Sequence, residues 1–245
     1  MSKKNEIKPW LSEFFCIPPE ADAEFVAAME DVLDVYERPY DEARPVVCLD
    51  ETSKEVHGDV TPPISARPPM EDKPATPKRH DYEYVRNGTA SIFALYEPKI
   101  GRAYTEVSEQ RTALDYARVI KHLCDELYPD AEKIVLVQDN LNTHTIASLY
   151  KAFAPQEAHR LAQRLEIHYT PKHGSWLNAA EILLRVLTKQ CISARFPTLE
   201  ALRNVVQTWQ QRYDRSPSKT DWQFTTRDAR PKLKRLYPKI QEPRH

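Results

Sequence analysis

The segment Lys133-Ile-Val-Leu-Val-Gln-Asp139-Asn140 constrains this chain more than any other, because four consecutive apolar β-formers run straight towards an acid. A short apolar run of that kind reads as a strand buried on both faces. In open α/β sheets the crevice beyond the carboxyl ends of such strands is where ligands bind. Arg44-Pro-Val-Val-Cys-Leu-Asp50-Glu51 repeats the form. If the two strands are neighbours, Asp50 and Asp139 stand a few ångströms apart, and their repulsion makes a bound cation the natural neutraliser. A third acid is then expected nearby.

Between Asn140 and Leu199 the acids are Glu157, Glu166 and Glu181. Glu157 follows Pro155 at a helix break, and Glu166 opens a strand at the end away from the carboxyl edge. Glu181 lies in Trp176-Leu-Asn-Ala-Ala-Glu-Ile-Leu-Leu-Arg-Val-Leu, with Leu177 and Leu184 as its helical neighbours. A carboxylate on that apolar face must be paired, hydrogen-bonded or metal-bound. Arg185, one turn on, offers an ordinary helix pair as the competing reading.

The 245 residues suffice for one large domain or two small ones, and a 41% hydrophobic content supports a globular fold. Cys16, Cys48, Cys124 and Cys191 are scattered without a CxxC pair, which argues against a zinc knuckle or a disulfide framework. His144, His168 and His173 likewise lack zinc-ligand spacing. No run approaches the ~20 apolar residues of a membrane span, so no membrane is expected as a partner. The net charge is −1, but its distribution is lopsided. Residues 1–60 carry 6 Lys and Arg against 15 Asp and Glu, whereas residues 160–245 carry 17 against 7. Such asymmetry points to a polyanionic partner, with a solvated basic surface as the alternative.

Taken in order, residues 1–19 read as an aromatic arm (Trp10, Phe14, Phe15), followed by a helix from about Pro19 with an apolar stripe of Phe25, Met29, Val32, Leu33 and Tyr36. A strand over 45–50 precedes a loop over 58–79 that contains six prolines. Asn87-Gly88 predicts a turn ahead of a strand over 89–96, and Lys99-Ile-Gly101 a hairpin into a strand over 102–107. A helix over 111–128 includes Leu114 in its apolar face. The strand at 133–138 is followed by a helical stretch over 145–165 interrupted at Pro155. A short strand over 166–170 comes next, then a helix over 176–191 capped by Ser175, and another over 199–213. The element order predicts an α/β fold with a mixed five-stranded sheet flanked by helices.

Together these residues resemble a family. Asp50-Glu51 after an apolar strand, Asp139-Asn140 with His144 beyond, and Trp176-Leu177-Asn178-Ala-Ala-Glu181 are similar to the three signatures of DDE transposases, in particular the mariner-type branch of bacterial insertion-sequence transposases. The resemblance covers about residues 20–240 and implies a ribonuclease H-like fold. It implies Asp50, Asp139 and Glu181 as catalytic and metal-binding residues for two Mg²⁺ ions, with Mn²⁺ as substitute. Glu51, Asn140, His144 and Asn178 match residues that accompany them. The implied activity is cleavage and strand transfer of double-stranded DNA at transposon ends and target. The implied assembly is a homodimer on DNA, in a bacterial cytoplasm and associated with the nucleoid. Lys172, His173 and Trp176, and the cluster Lys232, Lys234 and Arg235, are the candidate DNA contacts.

On this view residues 1–43 link to a DNA-binding region expected from an upstream helix-turn-helix polypeptide. Residues 44–215 form the catalytic domain, and residues 216–245 a basic C-terminal segment. Forty-two positions separate Asp139 from Glu181, longer than in the mariner-type enzymes the chain resembles, and the resemblance therefore implies an added helix within 145–165. A purely hydrolytic metal-dependent nuclease and a non-catalytic DNA-binding remnant stay open as alternatives.

Overall fold

A computed structural model describes residues 20–70, 74–79 and 82–238. The expected aromatic arm over 1–19, with Cys16 and Pro19, lies outside the described residues. Five strands form one sheet, β1 (Val46–Asp59), β2 (Tyr84–Glu97), β3 (Arg102–Ser108), β4 (Ile134–Gln138) and β5 (Leu165–Tyr169), in the order β3-β2-β1-β4-β5. β1 is central. It pairs antiparallel with β2 and parallel with β4, and β4 pairs parallel with β5. All five residues of β4 are buried, as the continuous apolar run predicts for an inner parallel strand.

Helices cover both faces. α1 (Ala23–Glu37), α5 (Ala180–Leu187), α6 (Leu199–Arg215) and α7 (Thr226–Lys232) pack on one side. α2 (Ala113–His122), α3 (Ile146–Ala152) and α4 (Pro155–Gln163) pack on the other. Because side chains alternate across a strand, β1 serves two cores. Val46 and Cys48 enter the core beneath α1 and α5, whereas Val47 and Leu49 enter the core beneath α2. β4 does the same, with Val135 and Val137 towards α5 and Ile134 and Leu136 towards α2.

The helix boundaries show where local signals lose to their surroundings. Asp22 caps the start of α1, its side chain accepting the Phe25 N–H at 2.9 Å. The stripe Phe25, Met29, Val32, Leu33 and Tyr36 is buried as expected. α2 stops at His122 and passes into a π turn over Leu123–Leu127, and Leu114 is exposed instead of in the apolar face. Pro155 divides α3 from α4 by occupying the first position of α4, where its missing N–H costs nothing.

Two strand boundaries are corrected. β1 does not end at Asp50 but runs to Asp59, and Asn87-Gly88 is not a turn but lies within β2. Beyond Asp50 the two strands continue as a ribbon, and the register shifts between Glu55 and His57, opposite Asn87-Gly88. Gly88 takes φ 114 there, so the glycine signal marks a bulge and not a reversal. The proline-rich loop folds back on itself through bridges Ile64 to Arg79 and Arg67 to Thr76.

Gly101 closes the β2–β3 hairpin at φ 76, its N–H donating to the Glu97 carbonyl. A Cβ at this position would stand 2.7 Å from the Ser218 carbonyl carbon, which is backbone and cannot swing away. Gly101→Ala combines that clash with left-handed strain, and it should destabilise the chain by about 2 kcal/mol. The urea midpoint measures this; an unchanged midpoint would show that the 216–220 segment yields freely.

Candidate active site

Strand register sets the site. Val46 pairs with Val135, Val47 with Leu136 and Cys48 with Val137. Asp50 and Asp139 each lie two residues further along, Asp139 just past the end of β4, so the register carries both to the same edge of the sheet. Each also has the parity of Cys48 and Val137 and projects to the α5 side. Glu51 and Gln138 have the opposite parity and project towards α2. α5 brings Glu181 in its first turn, and Asp50, Asp139 and Glu181 line one cleft of about 730 Å³ with Asn140, Tyr169, Lys172, His173 and Asn178. A larger hollow of about 930 Å³ between α5 and α6 has no carboxylate in its lining.

Crowding is visible in the electrostatics. Burial pushes Asp50 up to about 7, opposed by the Glu51 N–H that donates to its Oδ1 at 2.8 Å and reinforced by the charges of Glu51, Asp139 and Glu181. Such a group gains more from a neighbouring cation than an isolated surface aspartate would.

On the α2 side, His144 is 1% exposed and bridges two acids: Nδ1 donates to Asp139 Oδ1 at 2.5 Å, and Nε2 faces Glu51 Oε2 at 3.3 Å. Burial alone would lower its pKa, but the carboxylates of Asp139 and Glu51 outweigh burial and hold it up at about 9. His144 therefore sits as a cation between them. Glu51, 3% exposed, meets Arg111 with its other oxygen at 3.6 Å. The Tyr116 ring stacks on His144 at 4.8 Å, Tyr116 Oη donates to Gln138, and Gln138 donates to the His144 carbonyl. Ligand atoms of Glu51, Asp139 and His144 lie within 4.8 Å of one another, which by distance alone describes a metal site. The two imidazole nitrogens are already directed at opposite acids, so the arrangement is better described as an ion triad that orients Asp139.

Glu181 reaches the cleft by a different route from the one its sequence suggests. Ser175 does not cap a long helix; Ser175–Leu177 is a 3-10 turn, and α5 begins only at Ala180 and passes into a π turn over Thr188–Ile192. Asn178 Nδ2 donates to the Leu49 carbonyl at 2.8 Å, and its Oδ1 accepts the Ala180 N–H. The residue thus ties the start of α5 to the strand that carries Asp50. The Arg185 pair exists at 3.5 Å, but Arg185 is 80% exposed, a weak surface contact that leaves Glu181 available.

The remaining candidates divide. Lys172 and His173 are exposed on the rim of the cleft, His173 at φ 66. Trp176 does not join them: its ring meets Phe224 edge-on at 5.8 Å, packed against the α5-side core. Lys232, Lys234 and Arg235 are all exposed, with Lys232 near Asp228 and the Phe224 ring. None of the three lines the cleft; their segment meets the start of α1 where the Asp22 N–H donates to the Leu236 carbonyl, and Asp22, Glu24 and Phe25 form part of the cleft wall. His168 is held by Asp31 and Glu166, apart from His144 and His173. Arg111, Tyr116 and Gln138 complete the network around Glu51 and His144 and were missed by sequence reasoning. Only the parity of Gln138 against Asp139 could have hinted at them.

A family model for DDE superfamily endonucleases matches residues 45–203, more than half of the chain. The chain belongs to this family. Among solved structures, the mariner Mos1 paired-end complex with Mg is similar at TM-score 0.55 and 13% identity, over 94% of this chain and 68% of that one. The Mos1 paired-end complex with Mn gives 0.53 and 14%, over 92% and 64%. The Mos1 transposase paired-end complex with left transposon end gives 0.51 and 14%, over 82% and 58%. The chain thus spans about three fifths of the last neighbour's length. At these identities the likeness is one of fold, and the mixed five-stranded sheet of this DDE endonuclease domain is ribonuclease H-like. No curated protein sequence matches the chain. Among the described residues no helix is long and apolar enough to cross a membrane.

The raised pKa values give a pH signature. Folded Asp50 keeps a proton up to about pH 7 that the unfolded chain releases near its ordinary 3.8. Its contribution to stability is therefore full below that ordinary value and lost as pH rises through about 7. His144 acts in the same sense over a higher window, full below 6.5 and lost through about 9. In chelator the melting temperature should fall across both windows. Asp50→Asn should flatten the lower window and His144→Gln the upper. Superimposable wild-type and Asp50→Asn profiles between pH 4 and 7 would refute the crowding of this site.

Proposed function

We propose that this chain is the catalytic part of a transposase, cutting and rejoining DNA at insertion-sequence ends, with Asp50, Asp139 and Glu181 as its metal-binding and catalytic carboxylates. The observation that carries the reading is that strand parity and the start of α5 converge these three acids on one cleft in a chain of the DDE endonuclease family. The donor set fits hard divalent cations: three carboxylates, one of them pushed up by burial and by its neighbours' charge. Two Mg²⁺ ions, or Mn²⁺ in their place, would activate the attacking oxygen and stabilise the leaving one. The solved complexes with Mg and with Mn, of similar fold, support this choice.

The chain's own residues do the positioning. Asp139 is oriented by His144 through one oxygen, which leaves the other for the cleft. Asp50 is oriented likewise by the Glu51 N–H. Asn178 fixes the Glu181 helix to β1, and Asn140 stands exposed at the cleft beside Asp139. Lys172 and His173 on the rim, and Lys232, Lys234 and Arg235 beside α1, supply phosphate contacts to double-stranded DNA. Residues 44–215 carry the chemistry, α1 within 1–43 braces it, and 216–245 adds basic contacts. An upstream helix-turn-helix polypeptide would read the transposon ends. Assembly as a homodimer on DNA is supported by the β1–β2 ribbon and loop, which leave Ile64, Met70, Tyr82 and Val85 exposed. Such an activity belongs in the bacterial cytoplasm, at the nucleoid.

The test is Mn²⁺-dependent nicking and strand transfer of a transposon-end oligonucleotide, with the chain fused to a helix-turn-helix module. Asp139→Asn or Glu181→Gln should reduce nicking by roughly a thousandfold, the scale of losing about 4 kcal/mol at the transition state, with low-salt binding near normal. Nicking that survives both substitutions would sink the assignment. Nicking without strand transfer would make the chain a hydrolytic nuclease, and binding without either a DNA-binding remnant. Charge reversal at Lys232, Lys234 and Arg235 should do the opposite to the acid substitutions. It should weaken binding and flatten its salt dependence, by a slope of about 0.9 for each phosphate that is no longer neutralised. An unchanged slope would remove that cluster from the interface.

A further inference from the structure

The third carboxylate hangs on a short segment with little internal support. Neither the 3-10 turn at Ser175–Leu177 nor the start of α5 carries a side-chain cap. Two side chains from outside the helix supply polar anchors. One is Asn178, already described. The other is Tyr36, at the far end of α1 and 141 positions away in sequence. Its hydroxyl donates to the Leu177 carbonyl at 2.7 Å and accepts the Ala179 N–H at 3.2 Å. Since the hydroxyl proton is committed to Leu177, the Cys48 thiol at 3.3 Å can only donate to the oxygen. Tyr36 Oη therefore touches the peptide units on either side of Asn178 and also the strand residue two before Asp50. The ring is 5% exposed and lies against Trp222, with centroids 4.6 Å apart, so the hydroxyl has no room to wander.

From this geometry we infer that Tyr36 is a positioning residue for metal binding. Its hydroxyl locks the 177–179 backbone against β1 and so sets where Glu181 stands relative to Asp50. The inference rests on the proposed metal role of these acids and adds a residue that touches none of them. A hydroxyl with both hydrogen-bonding roles filled by backbone holds those peptide groups where water cannot replace it. Without it the Leu177 carbonyl is left buried and unpaired and the Ala179 N–H keeps only the weakly accepting Cys48 sulfur, so the segment regains full partners only if it moves. That movement carries Glu181 with it, at the start of the helix that follows. Groups that orient metal ligands without touching the metal typically change metal affinity or activity by 10–100-fold when removed.

The test uses the 245-residue chain and Tyr36→Phe, which deletes the hydroxyl alone. Mn²⁺ binding, followed by the electron paramagnetic resonance signal of the free ion, should weaken by about tenfold. The Mn²⁺ concentration for half-maximal nicking by the fused chain should rise in parallel, with the rate at saturating Mn²⁺ little changed. Ile120→Val, buried in the opposite core, serves as a control that lowers the melting temperature without altering Mn²⁺ affinity. A Tyr36→Phe chain that loses thermal stability yet keeps wild-type Mn²⁺ affinity, while Asp50→Asn loses it, overturns the inference alone. Wild-type Mn²⁺ binding indifferent to both Asp50→Asn and Glu181→Gln overturns the metal reading and this inference with it. If Tyr36→Phe fails to fold, amide exchange in the wild type decides. Ala179 protected as strongly as the β1 amides supports the lock, and an unprotected Ala179 amide overturns it.

Discussion

Everything at the cleft depends on the alternation of side chains along β1. One strand, buried on both faces, must fill two cores, and Val46 to Leu49 do so in strict turn. The next residue, Asp50, inherits the face of Cys48, and Glu51 inherits that of Leu49. Two adjacent acids of nearly equal chemistry are thereby sent to opposite sides of the sheet. Asp50 meets Asp139 and Glu181 in a cleft and is pushed up by burial and their charge. Glu51 goes beneath the sheet, where it meets His144 and Arg111.

His144 is the junction between the two sides. Its burial would favour the neutral ring, but an acid at each nitrogen reverses that preference. Taking a charge out of water is repaid only when good geometry and further hydrogen bonds satisfy the group. Asp139 meets this with a hydrogen bond to Nδ1, Glu51 adds an ion pair at 3.3 Å to Nε2, and the stacked Tyr116 and the bonds from Gln138 and Tyr169 to the His144 carbonyl hold the residue in place. The consequence for Asp139 is asymmetry. One oxygen is turned towards the buried network and the other stays on the open side of a carboxyl group that is 37% exposed.

Residues 134–138 and 46–49 were legible as buried strand leading to an acid because continuous apolar character over a short span has few other solutions, although nothing local showed that β1 runs on past Asp50. The α1 stripe was legible for the same reason at helical period. Asn87-Gly88 was misleading because a glycine at positive φ suits a bulge as well as a turn, and only the partner strand decides between them. Ser175 was misleading because its segment is held by Tyr36 and Asn178, which reach it from α1 and across to β1. Glu181 could be chosen among three acids by its apolar neighbours. The network around His144 could not be read, since Arg111, Tyr116 and Gln138 meet it only after the sheet has brought distant segments together. Local pattern reveals which residues are buried, whereas partners at long range follow from topology.

The parity of β1 also bears on which genetic changes this domain can survive. The proline-rich loop beyond β1 joins only two strands of a ribbon, so codons can be gained or lost there without disturbing either core. A single codon inserted between Val46 and Asp50 is a different event. It would carry Asp50 to the α2 side and turn Val and Leu side chains towards the wrong core, a one-residue slip that exchanges every face. Two inserted codons would restore the faces yet carry Asp50 out of level with Asp139. Lineages of this domain should therefore vary freely in the length of the loop after β1, while the run from Val46 to Asp50 keeps its length however much its apolar residues interchange.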